Sequence, residues 1–233
     1  MATGITASDN CDDNVLVEFE GDQVNPKVGD CPQNYTITRT WKATDDCGNE
    51  TFGTQVITVT DNTPPVITPP ANDTVMVECD GNGNQAQLQD WLDSNGGATA
   101  VDNCGEVSWS FDFDFADFLF ECGGEGWGFA TFYAEDECGN RSEFRGIFKI
   151  NDTTPPTITK EAENMTVECD GDGNQAQLQA WLENNGGAEG SDICSPVSWE
   201  YVLVNDVPGC GSTGSKTYNF KLIDECGLSL IHI

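Results

Sequence analysis

Apolar and polar residues alternate through long stretches of the chain. Trp109, Phe111, Phe113 and Phe115 alternate with Ser110, Asp112 and Asp114. A period of two predicts a strand with one buried aromatic face and one acidic solvent face. Trp199, Tyr201 and Leu203 repeat the apolar face further along. Long strands are expected at 127–134, 35–43 and 216–223, with returning strands at 144–150 and 55–60. The first pair is joined through Asp136-Glu137-Cys138-Gly139-Asn140, whose glycine and asparagine suit the positive φ of a tight turn. One pattern differs. In 85–93 and 175–183 the apolar residues fall at helical spacing, with Leu88, Trp91 and Leu92 on one face, and Asn95-Gly96-Gly97 follows as a stop. The expected class is all-β: tandem immunoglobulin-like β-sandwich repeats, each full repeat with one short helix.

The pattern also repeats at a longer period. Pro64-Pro65-Val66-Ile67-Thr68 returns as Pro155-Pro156-Thr157-Ile158-Thr159, and Val77-Glu78-Cys79-Asp80-Gly81 as Val167-Glu168-Cys169-Asp170-Gly171. Gly83 through Gln89 is identical to Gly173 through Gln179. Such self-similarity marks a repeat architecture. The expected segments are a partial repeat over 1–62 lacking its first strands, a complete repeat over 63–153, and a third over 154–233. At Gly227-Leu228-Ser229 the third departs from the register of Gly139-Asn140-Arg141, so its closing strand is expected to be missing or replaced, and His232 is given no role.

The 11 cysteines sort onto this repeat. Repeat two holds Cys79, Cys104, Cys122 and Cys138; repeat three holds Cys169, Cys194, Cys210 and Cys226; repeat one holds Cys11, Cys31 and Cys47, aligned with the last three. No Cys-x-x-Cys pair occurs and His232 is the only histidine, which argues against zinc. Disulfides, and so an oxidising compartment, are the better use. If the second and fourth cysteines of a repeat share one end of a sandwich, and the first and third the other, the pairs are Cys79–Cys122, Cys104–Cys138, Cys169–Cys210, Cys194–Cys226 and Cys11–Cys47, with Cys31 free.

Charge changes the picture of partners. Nine basic residues stand against 40 acidic ones, a net charge of −31. That excess repels nucleic acid and anionic membranes. It favours cations and solubility, and an acidic surface suited to salty water would serve without any ligand. No run reaches the ~20 apolar residues of a membrane span. No leader is read at Met1, which in a chain of exported character is expected of a fragment.

Calcium is the one candidate cofactor. Asp80-x-Asn82-x-Asn84 and Asp170-x-Asp172-x-Asn174 place oxygen ligands at alternate positions before a helix, as in the first half of an EF-hand loop, although Trp91 and Trp181 stand where the bidentate glutamate belongs. The competing reading is a polar turn in which Asn84 and Asn174 cap the helices. A second location is the link between repeats, where Asp61 and Asp152 precede Pro64-Pro65 and Pro155-Pro156. There a carboxylate shares a cation with a neighbouring loop, or the prolines make a stiff dry link. Catalysis has no candidate residues: no histidine-dependent nucleophile can be assembled in the repeats, and forty acids make carboxylate pairs uninformative.

Cys31-Pro32-Gln33-Asn34-Tyr35-Thr36-Ile37-Thr38-Arg39-Thr40-Trp41, Thr44-Asp45-Asp46-Cys47-Gly48-Asn49 and Thr58-Val59-Thr60-Asp61-Asn62-Thr63-Pro64-Pro65 resemble HYR-like (hyalin-repeat-like) modules of long surface proteins of Bacteroidota, gliding-motility adhesins among them. The resemblance implies an immunoglobulin-like fold, an extracellular or cell-surface location, cell adhesion and no catalysis. The reading is a non-enzymatic stalk or spacer segment of a large adhesin, with neighbouring repeats of the same parent as partners. The alternatives are a module that binds extracellular glycan or protein, for which Trp127 between Gly126 and Gly128 is the candidate, and an accessory region of an exported hydrolase.

Overall fold

The computed structural model describes residues 4–26 and 31–232, which leaves Met1 and Ile233 outside. The expected all-β class is the one observed. Repeat one supplies β1 (Leu16–Pro26), β2 (Tyr35–Thr44) and β3 (Glu50–Val59). Repeat two supplies β4 (Val66–Thr68), β5 (Thr74–Glu78), α1 (Gln85–Asp93), β6 (Thr99–Val101), β7 (Val107–Asp112), β8 (Leu119–Phe120), β9 (Gly126–Asp136) and β10 (Arg141–Asn151). Repeat three supplies β11 (Thr157–Lys160), α2 (Gln175–Glu183), β12 (Glu189–Ser191), β13 (Val197–Pro208), β14 (Gly214–Asp224) and β15 (Ser229–His232). The chain divides into two compact units: Met1–Pro70 with Ala98–Phe111 and Phe132–Phe144, and Ala71–Gly97 with Asp112–Thr131 and Arg145–Ile233. The first contains the link between repeats one and two. The second contains the link between repeats two and three.

In the first unit β1, β2 and β3 form an antiparallel meander, and β4 pairs antiparallel with β6. Cross-strand pairs fix the register of the meander. Phe19 faces Trp41, ring to edge at 5.7 Å, and Arg39 forks onto both carboxylate oxygens of Asp22 at 2.8 Å each. The β1–β2 register shifts between Phe19 and Gly21, a bulge. Phe132 is fully buried and meets Phe111 and Phe144.

In the second unit β5 runs parallel to β10, β8 is antiparallel to β9, β11 to β12, and β13-β14-β15 form a meander. Both helices span the predicted residues. Leu88, Trp91 and Leu92 are buried, and Trp91 meets Phe148 at 5.6 Å. In the copy, Trp181 meets Phe220 at 5.3 Å. Ser94 ends α1, and Asn95-Gly96-Gly97 forms a tight 3-10 turn after it in which all three residues have positive φ.

Two expectations are corrected here. The aromatic alternation does not make one long half-buried strand. β7 stops at Asp112, Phe111 is exposed, and Phe115 leaves into a 3-10 turn capped by Asp114, whose carboxylate accepts the Ala116 amide at 2.8 Å. Phe115 stacks on Phe118 instead, as part of a small cluster with Phe120. Tyr201 and Leu203 are likewise exposed on β13. The closing strand of repeat three is not missing but short, 4 residues where β10 has 11: β15 pairs with β14 from Ile223↔Ser229 to Phe220↔His232. Trp127 is half-buried, and its flanking glycines have a packing cause. A Cβ on Gly126 or Gly128 would stand 2.7 or 2.6 Å from the ring of the buried Phe118.

Candidate metal centres

The loop before each helix is a self-contained turn. Asp80 Oδ1 accepts the amides of Asn82 at 2.7 Å and Asn84 at 3.0 Å. The Asn84 side chain is fully buried, accepts the Asp80 amide at 3.2 Å and donates to the Glu78 carbonyl at 2.7 Å. Asp170, Asp172, Asn174 and Glu168 repeat the arrangement. Backbone amides thus occupy one carboxylate oxygen of Asp80 and one of Asp170. The hydrogen bonds from the Asn84 and Asn82 amides hold the Asp80 carboxyl below its ordinary range, and those from Asn174 and Asp172 do the same for Asp170. Nor do the asparagines cap the helices as expected. Asn84 and Asn174 sit at the cap position with left-handed φ, and their side chains turn back into the loop.

The links between repeats are different. In the first unit, carboxylate oxygens of Asp61, Asp102 and Asp136 lie within 4.8 Å of one another. Asp61 is 7 % exposed and Asp136 5 %. In the second unit an oxygen of Asp152, one of Asp192 and the sulfur of Cys194 share the same spacing, and Asp224 is close enough to raise the Asp152 pKa through its charge. Asp152 and Asp224 are each 5 % exposed.

Each aspartate is placed by its own turn. Asp102 and Asp192 accept the amide of the cysteine two residues on, at 2.8 and 2.7 Å. Asp136 accepts the amides of Cys138 at 2.8 Å and Asn140 at 2.9 Å, with Gly139 at φ 83°. Asp61 and Asp152 accept the amides of Thr63 and Thr154 and enter the Pro-Pro link. Neighbouring side chains hold these links in turn: Asn34 accepts the Asp61 amide at 2.8 Å, and Glu125 accepts the Asp152 amide at 2.7 Å.

One oxygen at the first link and two at the second are left over. Oδ2 of Asp102, Asp152 and Asp224 is buried without a hydrogen-bond partner among the described residues. No described Lys or Arg forms an ion pair with Asp61, Asp102, Asp136, Asp152, Asp192 or Asp224. Burial, and next the charges of Asp192, Asp224 and Glu78, raise the Asp152 carboxyl above its ordinary range, against the Thr154 amide. At Asp136 burial pushes upward too, but hydrogen bonds from the Asn140 side chain and the turn amides outweigh it and the net shift is down. Loss of solvent, then the charges of Asp61, Asp102 and Asp136, push the Cys104 thiol up. Convergent, anionic, all-oxygen groups without a basic partner suit a hard divalent cation, and the disulfide-bonded sulfur of Cys194 contributes no thiolate. Asp61 and Asp152 were legible as candidates in the sequence; Asp102, Asp136, Asp192 and Asp224 were not singled out.

The raised Asp152 carboxyl has a consequence for stability. Its protonated form is favoured in the fold, so its contribution is present at low pH and lost as pH rises through the raised value. With chelator present, the melting temperature should rise as pH falls from neutral towards ~4, the ordinary carboxylate range. Below that, the lowered carboxyls Asp80, Asp136 and Asp170 titrate and stability falls again. In Asp152→Asn the rise should shrink; an unchanged rise in that variant would assign it to other groups.

Sulfur chemistry surrounds both centres, and the pairing differs from the expected one. Cys31 bonds Cys138, Cys79 bonds Cys194, and Cys122 bonds Cys226. Cys11, Cys47, Cys104, Cys169 and Cys210 are free and exposed. None of the pairs Cys79–Cys122, Cys104–Cys138, Cys169–Cys210, Cys194–Cys226 or Cys11–Cys47 forms. Each bond instead crosses a link between repeats. The physical reason is close approach at the link: a Cβ on Gly124 would stand 2.7 Å from Cys79 Sγ and 3.3 Å from the Cys194 carbonyl. Gln33 reaches Glu137 at 2.5 Å, and the Gly123 amide reaches Glu225 at 3.2 Å.

No family model and no curated protein matches the chain. Among solved structures, human CDH23 EC21-23 aligns with a TM-score of 0.35 and 11% identity over 96% of this chain and 88% of its own. PcdhgB3 EC1-4 aligns at TM-score 0.30 and 11% identity over 94% of this chain and 65% of its own. Protocadherin gammaB7 EC3-6, a cis-dimer structure, aligns at 0.30 and 11% over 93% and 64%. At those values the likeness says nothing about ligand or partner.

Proposed function

We propose that the chain is a non-catalytic, extracellular spacer segment of an adhesion protein, built of three HYR-like repeats whose links are closed by disulfides and filled by calcium. The observation that carries it is the doubled arrangement at the links: buried aspartates with orphaned oxygens beside bonds that tie one repeat to the next. Three disulfides support an oxidising, extracytoplasmic compartment. No described helix is long and apolar enough to cross a membrane.

The residues fit calcium in their chemistry. Asp61, Asp102 and Asp136 would hold one ion, and Asp152, Asp192 and Asp224 another. Bound calcium supplies positive charge where the fold has gathered negative charge, and the protein's part is to fix the turns that aim the oxygens. Calorimetric titration of the chelated chain should give two calcium ions bound per chain. Asp61→Asn and Asp152→Asn should each lose one. Binding retained in both variants, or lost in Asp80→Asn instead, would sink the assignment to the links.

A ligand-binding reading has observations of its own, the exposed Phe111, Phe115, Phe120 and Tyr201 among them. Trp127 and Phe129 are half-buried rather than core, and the Arg145 guanidinium lies 3.4 Å over the Phe129 ring. The arginine already covers that ring, which favours the spacer.

A further inference from the structure

The bonded cysteines obey one rule. Numbering the four positions of a repeat in order, Cys79 is a first, Cys194 a second, Cys31 and Cys122 thirds, and Cys138 and Cys226 fourths. Every bond joins a first to the next repeat's second, or a third to the next repeat's fourth. The five free cysteines are those the same rule leaves without a complement. Cys11 and Cys47 are the second and fourth of repeat one, Cys104 is the second of a repeat whose predecessor shows no first, and Cys169 and Cys210 are the first and third of repeat three.

The carboxylates follow the same rule. Asp9 accepts the Cys11 amide at 2.8 Å, as Asp102 and Asp192 accept those of Cys104 and Cys194. Asp45 accepts the amides of Cys47 at 3.0 Å and Asn49 at 2.7 Å, as Asp136 does in its turn. Repeat one therefore carries two of the three aspartates of a link together with both cysteines of its accepting side. Repeat three carries both cysteines of the donating side, and the Thr213 amide donates to the Cys210 carbonyl at 3.2 Å as the Glu125 amide does to that of Cys122 at 2.8 Å.

We infer that residues 9–11 with 45–47, and residues 169 with 210, are the two halves of one covalent docking surface, and that the partner of each half is another repeat of this class. The joint consists of two parallel disulfides, first to second and third to fourth. This goes beyond the spacer reading and does not depend on a bound cation. Each bond forms by thiol–disulfide exchange: a disulfide oxidant such as oxidised glutathione is attacked by one thiolate, the mixed disulfide is attacked by the other, and two glutathione thiols leave with the two electrons and two protons.

A second copy of this chain carries both halves and serves as the probe. In high salt, which screens the acidic charge, concentrated chain in a glutathione redox buffer should form a covalent series on non-reducing gels that collapses with reductant. Mapping a mixture of isotopically labelled and unlabelled chains should find Cys169–Cys11 and Cys210–Cys47 between molecules, with Cys104 still open to alkylation. Cys11→Ser/Cys47→Ser and Cys169→Ser/Cys210→Ser chains should each stay monomeric alone and stop at dimer when mixed. Monomers that close Cys11–Cys47 and Cys169–Cys210 internally would overturn the inference, as would unlinked monomers or dimers joined through like cysteines.

Discussion

Reduction of the three disulfides should remove a large part of the stability of both units. The bonds close separations of 107, 115 and 104 residues. In the chain-entropy description a loop near 100 residues is worth about 4.7 kcal/mol. In the second unit the loops overlap, so the two bonds there add to less than twice that figure. At roughly 2–4 °C per kcal/mol for chains of this size, melting should fall on the order of 10–20 °C for the loss of one bond. Thermal and urea melts with and without a phosphine reductant measure this. The pairing has a separate readout. Cys122→Ser should expose one additional reactive thiol, at Cys226; a new thiol at Cys79 instead would mean that bonds close within a repeat.

Calcium should produce the second large effect. An ion that binds only the folded chain stabilises it by about 2.7 kcal/mol at a hundredfold excess over its Kd, so two sites are worth about 5 kcal/mol. The chelated chain must keep Asp61, Asp136, Asp152 and Asp224 buried without a basic partner, and it should melt correspondingly lower. Calorimetry with calcium and then with chelator gives the difference, and Asp152→Asn should retain about half of it. Identical melts in the two conditions would remove calcium from the account.

The local pattern told more than the contacts between repeats. Both helices were legible to the residue, because Leu88, Trp91 and Leu92 and their copies leave a period that no strand shares. β9 and β14 were legible for the converse reason. The aromatic run failed at Asp114: alternation records which side chains are apolar, and a single carboxylate accepting the Ala116 amide was enough to turn the chain before Phe115. The partners of the cysteines were not legible. Second and fourth cysteines do share turns with neighbouring aspartates, but a pattern within one repeat carries nothing about what the next repeat brings against it. The missed aspartates had a signal. Each second and fourth cysteine is preceded two residues earlier by aspartate, at Asp9, Asp45, Asp102, Asp136, Asp192 and Asp224. At the first link two of these meet the aspartate ahead of Pro-Pro; at the second Asp192 does, and Asp224 is close enough for its charge to act on Asp152.

The staggered bonds also determine how such a chain bears a pull. Tension entering at Cys122 passes through sulfur directly to Cys226, so the segment between them, whose extended length would be roughly 350 Å, stays slack even if its strands peel apart. The proline link is bypassed by two covalent struts and never carries the load by itself. A tether of this construction yields by breaking rather than by lengthening.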